Sequence, residues 1–591
     1  MAQIKEPSIR IEGKTIKQFS SLSIVQSISD HHSFRLVCPS ESLDNTSGAI
    51  FNASKDLIGS SISIEIKPET GEGSLQFNGV ITQIEAVRHS GHAGDILISG
   101  FSPTILLDNG PHCKTWEKKA VKNIAQDIMS HFPQNLLQPK ISPAYGETLS
   151  YMVQYRETAW QFLSRLAATF GEWLYYDGQK LILGSPQGQQ AKLNFGSNLD
   201  DFGISLQVRP TTFQMLSYDY MNNEVYDSSP SNTASKAGLN DFGKHVFQKS
   251  EKFYATKPKQ WHNQFLTNKK QLDDFVSTRA AIQSSSLVRF NGQSGHPGVQ
   301  LGGTASIQGK NVYSGSDESF GEYYITSVSH HCDGQRNYVN DFIAVPSSIK
   351  MPPVTGIDEP RCETQSAYVT DNHDPKGLGR IRVKFHWMKD TEKSPWLRMT
   401  SIHGGGGKGL FFIPEIGEEV IVGFEGDSPT KPYVIGTVYH SNAKTDFSNK
   451  DNDIKAIQTR SGNKIIMNDK EGSVFVEDKD GNSMKIDGEG NVNVLGNKTI
   501  VLTCGDSKIE MKKDGTINIT GKKVTVNAQE KAKVVSNQAS FTADGNSGDA
   551  KMEGLNAEIS GQIGAKLKGG ATTDVSASGQ VAVKGAMIML N

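Results

Sequence analysis

Three adjacent residues, His330, His331 and Cys332, are of types that bind transition metals. Neighbouring side chains on a strand point to opposite faces, so only His330 and Cys332 could reach one ion. Two protein ligands are fewer than a zinc site uses. We therefore expect a packed strand end without a metal, although a threefold axis could bring further ligands from other copies of the chain.

The glycine-rich segment Gly404–Gly409 has some features of a phosphate-binding loop. Its Lys408 is followed by glycine rather than by the Ser or Thr that holds Mg²⁺, and no strand–helix unit surrounds it. The chain also contains neither H-E-x-x-H nor G-x-S-x-G. We expect a flexible loop at this position, and a protein without catalytic residues, metal or other cofactor.

The composition excludes several other classes of protein. The chain has 591 residues, more than one domain usually holds, so we expect three or four domains. Hydrophobic residues make up 36% and charged residues 21%, which excludes a disordered chain and a membrane channel. The formal charge of −2 provides no field that would attract nucleic acid or an anionic membrane surface.

Cysteine usage and the N-terminus predict where the chain is made. Five widely spaced cysteines do not form a disulfide framework, which indicates a reducing cytosol. The N-terminus lacks the apolar stretch of a signal peptide, and no apolar run approaches the roughly 20 residues that span a bilayer. If the protein leaves the cell, we expect it to do so without a standard signal peptide.

Strand patterns dominate the first 110 residues. Residues Ser61–Lys67 place three isoleucines on one face, and similar short runs occur at Val80–Ile84 and Ile96–Ser99. These patterns predict a small β-barrel or sandwich. Apolar residues then recur every three or four positions within Lys118–Phe132, which predicts a short amphipathic helix.

The segment 152–184 carries the most specific local signals. Thr158 and Gln161 are spaced as a capping box, and Gly171 can end the following helix in the left-handed conformation. The apolar stripe of this predicted helix consists of Trp160, Leu163, Leu166, Ala167 and Phe170. The turn pair Asp177-Gly178 predicts a hairpin between residues 173–176 and 181–183.

The middle of the chain is again predicted to be mainly β. Residues 200–345 read as strands with one helix around Gln271–Ala281, and Met351–Val354 reads as part of a linker. Between Gln365 and Tyr439, five strands predict a small closed barrel of the OB type. The five predicted strands are Ile381–Phe385, Leu397–Met399, Gly409–Ile413, Glu419–Phe424 and Tyr433–Val438.

The last 151 residues, Ser441–Asn591, contain no Pro, Trp, Tyr or His. Apolar–polar–apolar units begin at intervals of seven to nine residues, with glycines near the corners between them. The units are Met484/Ile486, Val492/Val494, Ile500/Leu502, Ile509/Met511, Ile517/Ile519 and Val524/Val526. Such a repeat is typical of a β-solenoid or an intertwined β-helix.

These units are too short for one chain to coil around its own core, which usually takes about twenty residues per turn. The strands should therefore be completed by copies from other chains. Three identical ribbons can close a triangular prism without a free sheet edge, so we expect a homotrimer.

With these elements in place, the sequence resembles VgrG, the trimeric spike of the bacterial type VI secretion system, which is related to contractile phage tail hub and needle proteins. The first resembling segment runs from Tyr155 to Tyr176, the second is Gly379–Trp387, and Thr459–Gly462 resembles the start of the family's needle. The matched scaffold positions are Tyr155, Arg156, Glu157, Phe162, Leu163, Arg165, Leu166, Gly379, Arg380, Phe385, His386, Trp387, Trp396, Pro414 and Gly417.

Two departures from the family pattern stand out. The loop His403–Gly409 replaces a segment that usually carries a tryptophan, and the similarity over residues 200–345 is weak. Phage relatives insert a lysozyme domain between barrel and needle, whereas fewer than 20 residues separate Tyr439 from Thr459 here. Some relatives carry a C-terminal effector domain, and we expect none in this chain.

The resemblance implies a mainly β fold: β-barrel hub domains with small α+β insertions over 1–350, an OB-fold collar over 351–445, and a trimeric β-helix needle (a β-prism) over 446–591. It implies a spike that sits on the Hcp tube hexamer, contacts baseplate subunits, carries effector proteins as cargo and touches the target membrane on sheath contraction. Assembly would be cytoplasmic, followed by secretion or injection. No nucleic acid partner is expected.

The apolar C-terminus Lys584–Asn591 is predicted to end the needle. Three such ends would form an exposed apolar platform, which is an aggregation liability unless it is covered. In the resembled family a PAAR-repeat protein covers it. The predicted cap-binding residues are Ala586, Met587, Ile588, Met589, Leu590 and Asn591. Alternative interpretations are a spike of another contractile particle or phage tail, a trimeric β-helix adhesin, and an enzyme with an unrecognised site.

Overall fold

The computed structural model describes residues 3–43, 51, 53–68, 73–89, 92–311 and 313–590. The chain divides into two compact units, Met1–Ala443 and Lys444–Asn591. All five cysteines are free thiols. None of the helices within these residues is long and apolar enough to cross a membrane.

Strands and short helices alternate over the first 350 residues. The strands are β1 (Gln3–Ile11), β2 (Lys14–Ile16), β3 (Ser21–Ser27), β4 (Ser33–Pro39), β5 (Ser61–Pro68), β6 (Leu75–His89), β7 (His92–Phe101), β8 (His112–Ala120), β9 (Lys140–Ser142), β10 (Thr148–Glu157), β11 (Leu174–Tyr176), β12 (Leu181–Gly184), β13 (Gln190–Asn194), β14 (Leu199–Leu206), β15 (Gln214–Asp219), β16 (Glu224–Ser228), β17 (Lys259–Trp261), β18 (Val288–Ser294), β19 (Thr304–Lys310), β20 (Asp317–Asp333) and β21 (Asn337–Pro346). The helices are α1 (Ser40–Leu43), α2 (Val121–Met129), α3 (Gln134–Leu137), α4 (Ala159–Phe170), α5 (Thr233–Ala237), α6 (Asp241–Phe253) and α7 (Lys269–Ser284).

Eight of these strands form a ladder that closes on itself. The pairing runs β20-β3-β4-β7-β6-β5-β1-β21, and β21 pairs with β20 again. Ile62, Ile64 and Ile66 of β5 point into its core, as the period of two predicted. An eight-stranded ring is narrow enough for side chains to fill it completely.

A second ring uses two of the same strands. It runs β13-β19-β20-β21-β18-β14, and a bridge between Phe195 and Leu199 connects its two ends. Ile325 and Val328 of β20 pack into this second core, whereas Cys332 of the same strand packs into the first. The long strand β20 therefore contributes to both cores. Where the sequence predicted one small barrel or sandwich, the structure has two closed rings that share the strands β20 and β21.

The predicted helices α2 and α4 are confirmed, with their apolar stripes facing a common core. Thr158 and Gln161 form both bonds of the capping box, at 3.1 Å and 3.0 Å. Gly171 ends α4 with φ of 72°, a conformation that glycine adopts without steric cost. The helix predicted around Gln271 is α7, which extends a few residues beyond the prediction.

Helices α5 and α6 were not predicted, because residues 200–345 were expected to be strands with a single helix. Helix α5 has only five residues, too few for a periodic pattern. Helix α6 begins at Asn240, whose side chain accepts a hydrogen bond from Gly243 N at 2.9 Å. Only Val246 of its large apolar residues is buried, and Phe242 and Phe253 are exposed, so the sequence lacks a clear stripe.

The collar region has a four-stranded sheet in the order β23-β22-β26-β27 and a separate hairpin of two strands with two residues each. Its strands are β22 (Gln365–Asp371), β23 (Arg382–Phe385), β24 (Gly404–Gly405), β25 (Lys408–Gly409), β26 (Glu419–Phe424) and β27 (Pro432–Thr437). The predicted strand Gly409–Ile413 is wrong: Phe411 and Phe412 are exposed, and Leu410 N bonds only back to His403 O across the hairpin. Leu397–Met399 makes isolated bridges only, and β22 was missed.

The second unit is built of consecutive antiparallel strands in three sheets, β28–β32, β33–β35 and β36–β38. The strands are β28 (Ile454–Gln458), β29 (Lys464–Asn468), β30 (Ser473–Glu477), β31 (Ser483–Ile486), β32 (Val492–Leu495), β33 (Thr499–Cys504), β34 (Ser507–Lys512), β35 (Ile517–Thr520), β36 (Lys531–Ser536), β37 (Ala539–Asp544) and β38 (Asp549–Glu553). Five of the six predicted apolar units are strands. The sixth, Val524/Val526, lies in irregular backbone.

A buried polar chain crosses the first ring. Tyr338 O–H donates to His330 Nδ1 at 2.7 Å, and His330 Nε2–H donates to Gln26 Oε1 at 3.1 Å. Gln26 Nε2 donates to His32 Nδ1 at 3.1 Å, and His32 Nε2–H donates to the carbonyl of Ser27 at 3.2 Å. With Gln26 in this orientation, both histidines carry a proton on Nε2, and burial favours the neutral form of each ring. Burial lowers the pKa of His32 and of His330 to about 3.

These histidines make the first unit sensitive to acid. Between about pH 6.5 and pH 3 the unfolded chain takes up protons on His32 and His330 that the folded chain does not. The free energy of unfolding should therefore fall as pH falls, by up to about 1.4 kcal/mol per pH unit for each histidine. Urea unfolding followed by tryptophan fluorescence at pH 7, 6 and 5 measures this slope.

The substitution His330→Asn should reduce the slope, whereas His403→Asn, at an exposed position, should leave it unchanged. Equal stability of the original protein at pH 7 and pH 5 would contradict the assignment of two neutral buried histidines.

Candidate functional site

The first segment that resembles the family, Tyr155–Tyr176 (the first signature segment), contains a buried ion pair between the end of β10 and α4. The guanidinium of Arg165 donates to both carboxylate oxygens of Glu157, at 2.6 Å and 2.7 Å. It also donates to the carbonyl of Val153 at 2.8 Å. Glu157 is 7% exposed and Arg165 is 5% exposed, so the pair holds strand and helix together in a region without competing water.

Arg156, between Tyr155 and Glu157, faces the opposite way. The pairing of β10 with β8 shifts register at this residue, whose φ is 51°. The bulge turns the Arg156 side chain to the surface, where it forms an ion pair of 2.7 Å with Glu363. Bulges of this kind redirect one side chain without ending a sheet.

The apolar signature residues Phe162, Leu163 and Leu166 are buried in the core of α2 and α4. The ring of Phe162 stacks on Trp116 of β8, with ring centroids 5.2 Å apart. The guanidinium of Arg165 also contacts the Phe162 ring, 5.0 Å from its centroid. These contacts place α4 against the β8–β10 pair.

Tyr155 connects this subdomain to the collar. Its hydroxyl accepts a hydrogen bond from Gln365 Nε2 at 2.9 Å, and Gln365 Oε1 accepts from Trp387 Nε1 at 2.9 Å. Trp387 stacks in parallel on Phe385 at 5.5 Å. Burial, together with the carboxylate of Glu363, raises the pKa of Tyr155. We call this junction of β10 and the collar the signature seam.

A second buried ion pair secures the loop before β23. Arg380 donates to both oxygens of Asp374, at 2.9 Å and 2.7 Å, and Asp374 also accepts from the backbone N–H of Leu378 at 2.9 Å. These bonds hold the pKa of Asp374 far below its usual range. Gly379 makes the intervening turn with φ of 67°.

The remaining collar signature residues also have specific partners. His386 Nε2 lies 2.8 Å from Ser366 Oγ. The guanidinium of Arg382 lies 5.8 Å from the ring of Trp396 and pairs with Glu117 of β8 at 2.6 Å. The carbonyl of Pro414 accepts from Asn372 Nδ2 at 2.9 Å, and Gly417 N–H donates to the carbonyl of Val369 at 2.9 Å.

Several residues of the seam were missed from the sequence. Gln365 and Glu117 are polar residues without a motif, and no local signal identifies them. Arg382 lies within the resembling segment Gly379–Trp387 but was not among the predicted scaffold positions. Asp374 lies only six residues before Arg380 in the sequence, a spacing that would have allowed an ion pair within the loop to be predicted. The seam contains packed and paired groups, and its described residues include no group of three metal-binding side chains.

The candidates for metal and phosphate chemistry have structural roles. His330 belongs to the buried polar chain and Cys332 to the core of the first ring, while the intervening His331 faces the outside. Residues Gly404–Gly409 form an exposed two-residue hairpin rather than a cradle that follows a strand.

The strands of the second unit align their apolar residues into rows on one face. In the first sheet, one row runs Ile457, Ile465, Val476, Met484, Val494, and a second runs Met467, Val474, Ile486, Val492. In the second sheet, the rows are Leu502, Ile509, Ile519 and Ile500, Met511, Ile517. Most of these side chains are 39–63% exposed in the single chain. We call them the apolar rows.

The opposite face of the first sheet is more polar. Lys485 pairs across the strands with Asn493, and Lys464 forms an ion pair of 3.0 Å with Glu477. This face also carries Ile466, which pairs with Phe475, so apolar residues are concentrated on the face of the apolar rows without being confined to it. Such an imbalance is typical of a sheet that buries one side.

The predicted cap-binding residues are exposed. Met587 is 78% exposed, Met589 82% and Leu590 93%, with Ile588 at 50% and Ala586 also exposed. Residue Asn591 lies outside the described residues.

The substitution Glu157→Gln tests the seam. It leaves the buried guanidinium of Arg165 without its counter-charge, which should lower the free energy of unfolding by about 3–5 kcal/mol. The matched control Glu363→Gln removes the exposed ion pair with Arg156 but keeps an acceptor for the Tyr155 hydroxyl, so it should cost less than about 1 kcal/mol. All six tryptophans lie in the first unit, so urea unfolding followed by tryptophan fluorescence reports on this unit. Equal losses for both variants would contradict this distinction.

Two family models match the chain. The model of the phage tail baseplate hub (GPD) matches residues 26–336, more than half of the chain. The model of the type VI secretion system/phage-baseplate injector OB domain matches residues 365–439, the stretch that contains the collar sheet.

Individual relatives agree with these models. The type VI secretion system spike protein VgrG1a of Pseudomonas aeruginosa is 23% identical over 613 aligned positions, covering 86% of this chain and 91% of that protein. VgrG4b of the same organism is 26% identical over 349 positions, covering 53% and 41%.

One solved structure contains a chain of similar fold. In the Francisella PdpA–VgrG complex, the similar chain has a TM-score of 0.52 at 9% identity, covering 88% of this chain and 80% of that one. The chain therefore belongs to the phage tail baseplate hub family, and it is a structural hub and spike protein of the VgrG type rather than an enzyme.

Proposed function

We propose that the protein is the homotrimeric hub and needle of a type VI secretion spike. The apolar rows carry this proposal, because a single chain leaves them in water. Contiguous apolar surface of this extent marks an interface. Three identical chains can cover one another's rows and pair every strand edge. The occupant of the face is therefore two further copies of the same chain.

The division of labour follows the three segments of the chain. Residues 1–350 form the hub that meets the Hcp tube hexamer and the baseplate subunits. Residues 351–445 form the OB-fold collar, and residues 446–591 form the needle. The buried ion pairs Glu157–Arg165 and Arg380–Asp374 stiffen the hub and collar, and the needle transmits the thrust of sheath contraction to the target membrane.

The delivery route follows from this role. The spike assembles in the cytoplasm and is then secreted or injected when the apparatus fires. Effector proteins travel with it as cargo, and the Francisella VgrG that was solved with PdpA is an example of a spike in complex with another protein. A trimeric adhesin is the rival function, but only Phe447, Phe475 and Phe541 supply aromatic rings to Ser441–Asn591, too few for sugar-binding grooves.

Light scattering of the purified protein tests the trimer. Three chains of 64.5 kDa should give a mass of about 190 kDa. The double substitution Met484→Lys with Val494→Lys puts charges into one apolar row and should abolish the trimer, because an unpaired charge is costly to bury.

The matched control is Asn493→Lys, which with the natural Lys485 places the same pair of lysines on the opposite face. It should retain the mass of the original protein. A folded chain of about 65 kDa, or a trimer that tolerates lysines in the apolar row, would refute the proposal.

Deletion of Ala586–Asn591 tests the tip. The apolar rows remain, so the trimer should persist, while binding of a PAAR-repeat protein should be lost because its apolar contact is gone. Binding is measured by titration calorimetry, and Lys584→Ala serves as the control that retains the platform. An unchanged affinity after the deletion would exclude these residues as the cap site without affecting the trimer.

A further inference from the structure

The first unit contains a cavity of about 430 Å³ that the spike function does not use. It lies between the end of α4, one face of α7, the start of β10 and the loop 262–266. Several aromatic side chains line it, and the rings of Tyr145 and Phe170 pack together with centroids 4.3 Å apart. A volume of this size suits a small organic ligand.

Helix α7 has two different faces. Leu272, Val276 and Ala280 are fully buried in a core with β15 and β16. The residues on the other face, at a spacing of three and four, border the cavity: they are Gln271, Asp274, Phe275 and Thr278. Three of these four are only half-buried, so this face of the helix lacks the packing that its other face has.

The cavity holds one carboxylate without a basic partner. Glu172 is 4% exposed and accepts a hydrogen bond from Tyr145 N at 2.8 Å. Among the described residues it forms no ion pair, and burial raises its pKa. The carboxylates of Glu147 and Asp274 also border the cavity and raise the pKa of Tyr145, after the effect of burial.

Two lysines border the same cavity, and both have bonds to protein groups. Lys236 Nζ donates to Ser277 Oγ at 2.7 Å, and burial lowers its pKa. Lys350 Nζ donates to the carbonyl of Ser235 at 3.4 Å. Of the three bordering carboxylates, Glu147 is exposed and paired with Lys270 at 3.5 Å, Asp274 is half-buried, and only Glu172 is buried.

His262 supplies an unused hydrogen-bonding group. It borders the cavity, is 4% exposed, and packs against Phe275 with ring centroids 4.6 Å apart. Its Nε2 is buried and has no hydrogen-bond partner within the described structure. Burial, with smaller contributions from Lys431 and Arg279, lowers its pKa to about 3, so the ring is neutral and does not repel a cation.

We propose that this cavity binds an organic cation of the amidinium or guanidinium type. The flat cation would lie against the Tyr145–Phe170 rings, as cations do on aromatic faces. Its N–H fork would donate to the carboxylate of Glu172, the geometry that makes such pairs strong. His262 would accept a further N–H at Nε2. The carboxylate of Glu172 has only backbone N–H partners, and Nε2 of His262 has none among the described residues.

Benzamidine and benzamide distinguish this site from a merely apolar cavity, because they share a shape and differ in charge. Titration calorimetry of the full chain should give an affinity for benzamidine at least about tenfold above that for benzamide. Affinity for benzamidine should rise with pH above the ordinary range of a glutamate, since only ionised Glu172 attracts the cation and its pKa is raised.

The substitution Glu172→Gln should remove the preference for benzamidine while keeping an acceptor for Tyr145 N. Glu251→Gln, at an exposed position of α6 outside the cavity, is the matched control and should keep it. Ser150→Trp, at the cavity wall, should block benzamidine and serves as a second test if Glu172→Gln does not fold. Equal affinity for the two probes, or an unchanged preference in Glu172→Gln, would overturn the proposal.

A peptide titration shows whether the bound cation is a free small molecule or an arginine side chain of another protein. N-acetyl-Gly-Arg-Gly-amide is titrated beside its citrulline analogue. If the arginine peptide binds with the same dependence on Glu172, the ligand is an arginine side chain of another protein. If only benzamidine binds, the ligand is a free small cation. If neither binds, the cavity is not a cation site.

Discussion

The pairing of β20 with β21 is the interaction on which the first unit depends. This ladder closes the eight-stranded ring and also forms the middle of the second ring. One strand therefore supplies side chains to two cores, with Val328 in one and Cys332 in the other. The polar chain through His330 and Tyr338 lies on the same pair of strands. A closed ring of strands leaves no free sheet edge. Here the pairing of β20 with β21 closes the first ring and also forms the middle of the second.

Charge is used differently inside and outside the seam. Glu157–Arg165 and Asp374–Arg380 are bidentate and shielded from water, so losing one partner leaves a buried charge that nothing compensates. Arg156–Glu363 is equally short but exposed, and water screens it. The signature that identifies the family is thus a set of packing and pairing residues around one junction. This explains how a signature can be specific while containing no catalytic group.

The second unit follows a different rule. Its sheets satisfy their own backbone bonds strand by strand, yet the apolar rows have nothing to cover them within one chain. The repeat in the sequence correctly predicted the strands β31 to β35, because alternation of side chains depends only on neighbouring residues. It missed β28 to β30 as part of the same pattern, and it placed a strand at Val524/Val526 where the single chain has none. A strand at that position would need a neighbour to accept its amides.

The sequence by itself determined what is local. The capping box at Thr158 and Gln161, the terminator Gly171 and the isoleucines of Ser61–Lys67 act through residues at most a few positions away, and all of them form as predicted. Only the tertiary structure decided which strands close the rings, that Glu117 meets Arg382 across 265 residues, and that α7 leaves one face on a cavity. A hydrogen bond or an ion pair depends on distance in space, and distance along the chain carries no information about it once the chain has folded back on itself.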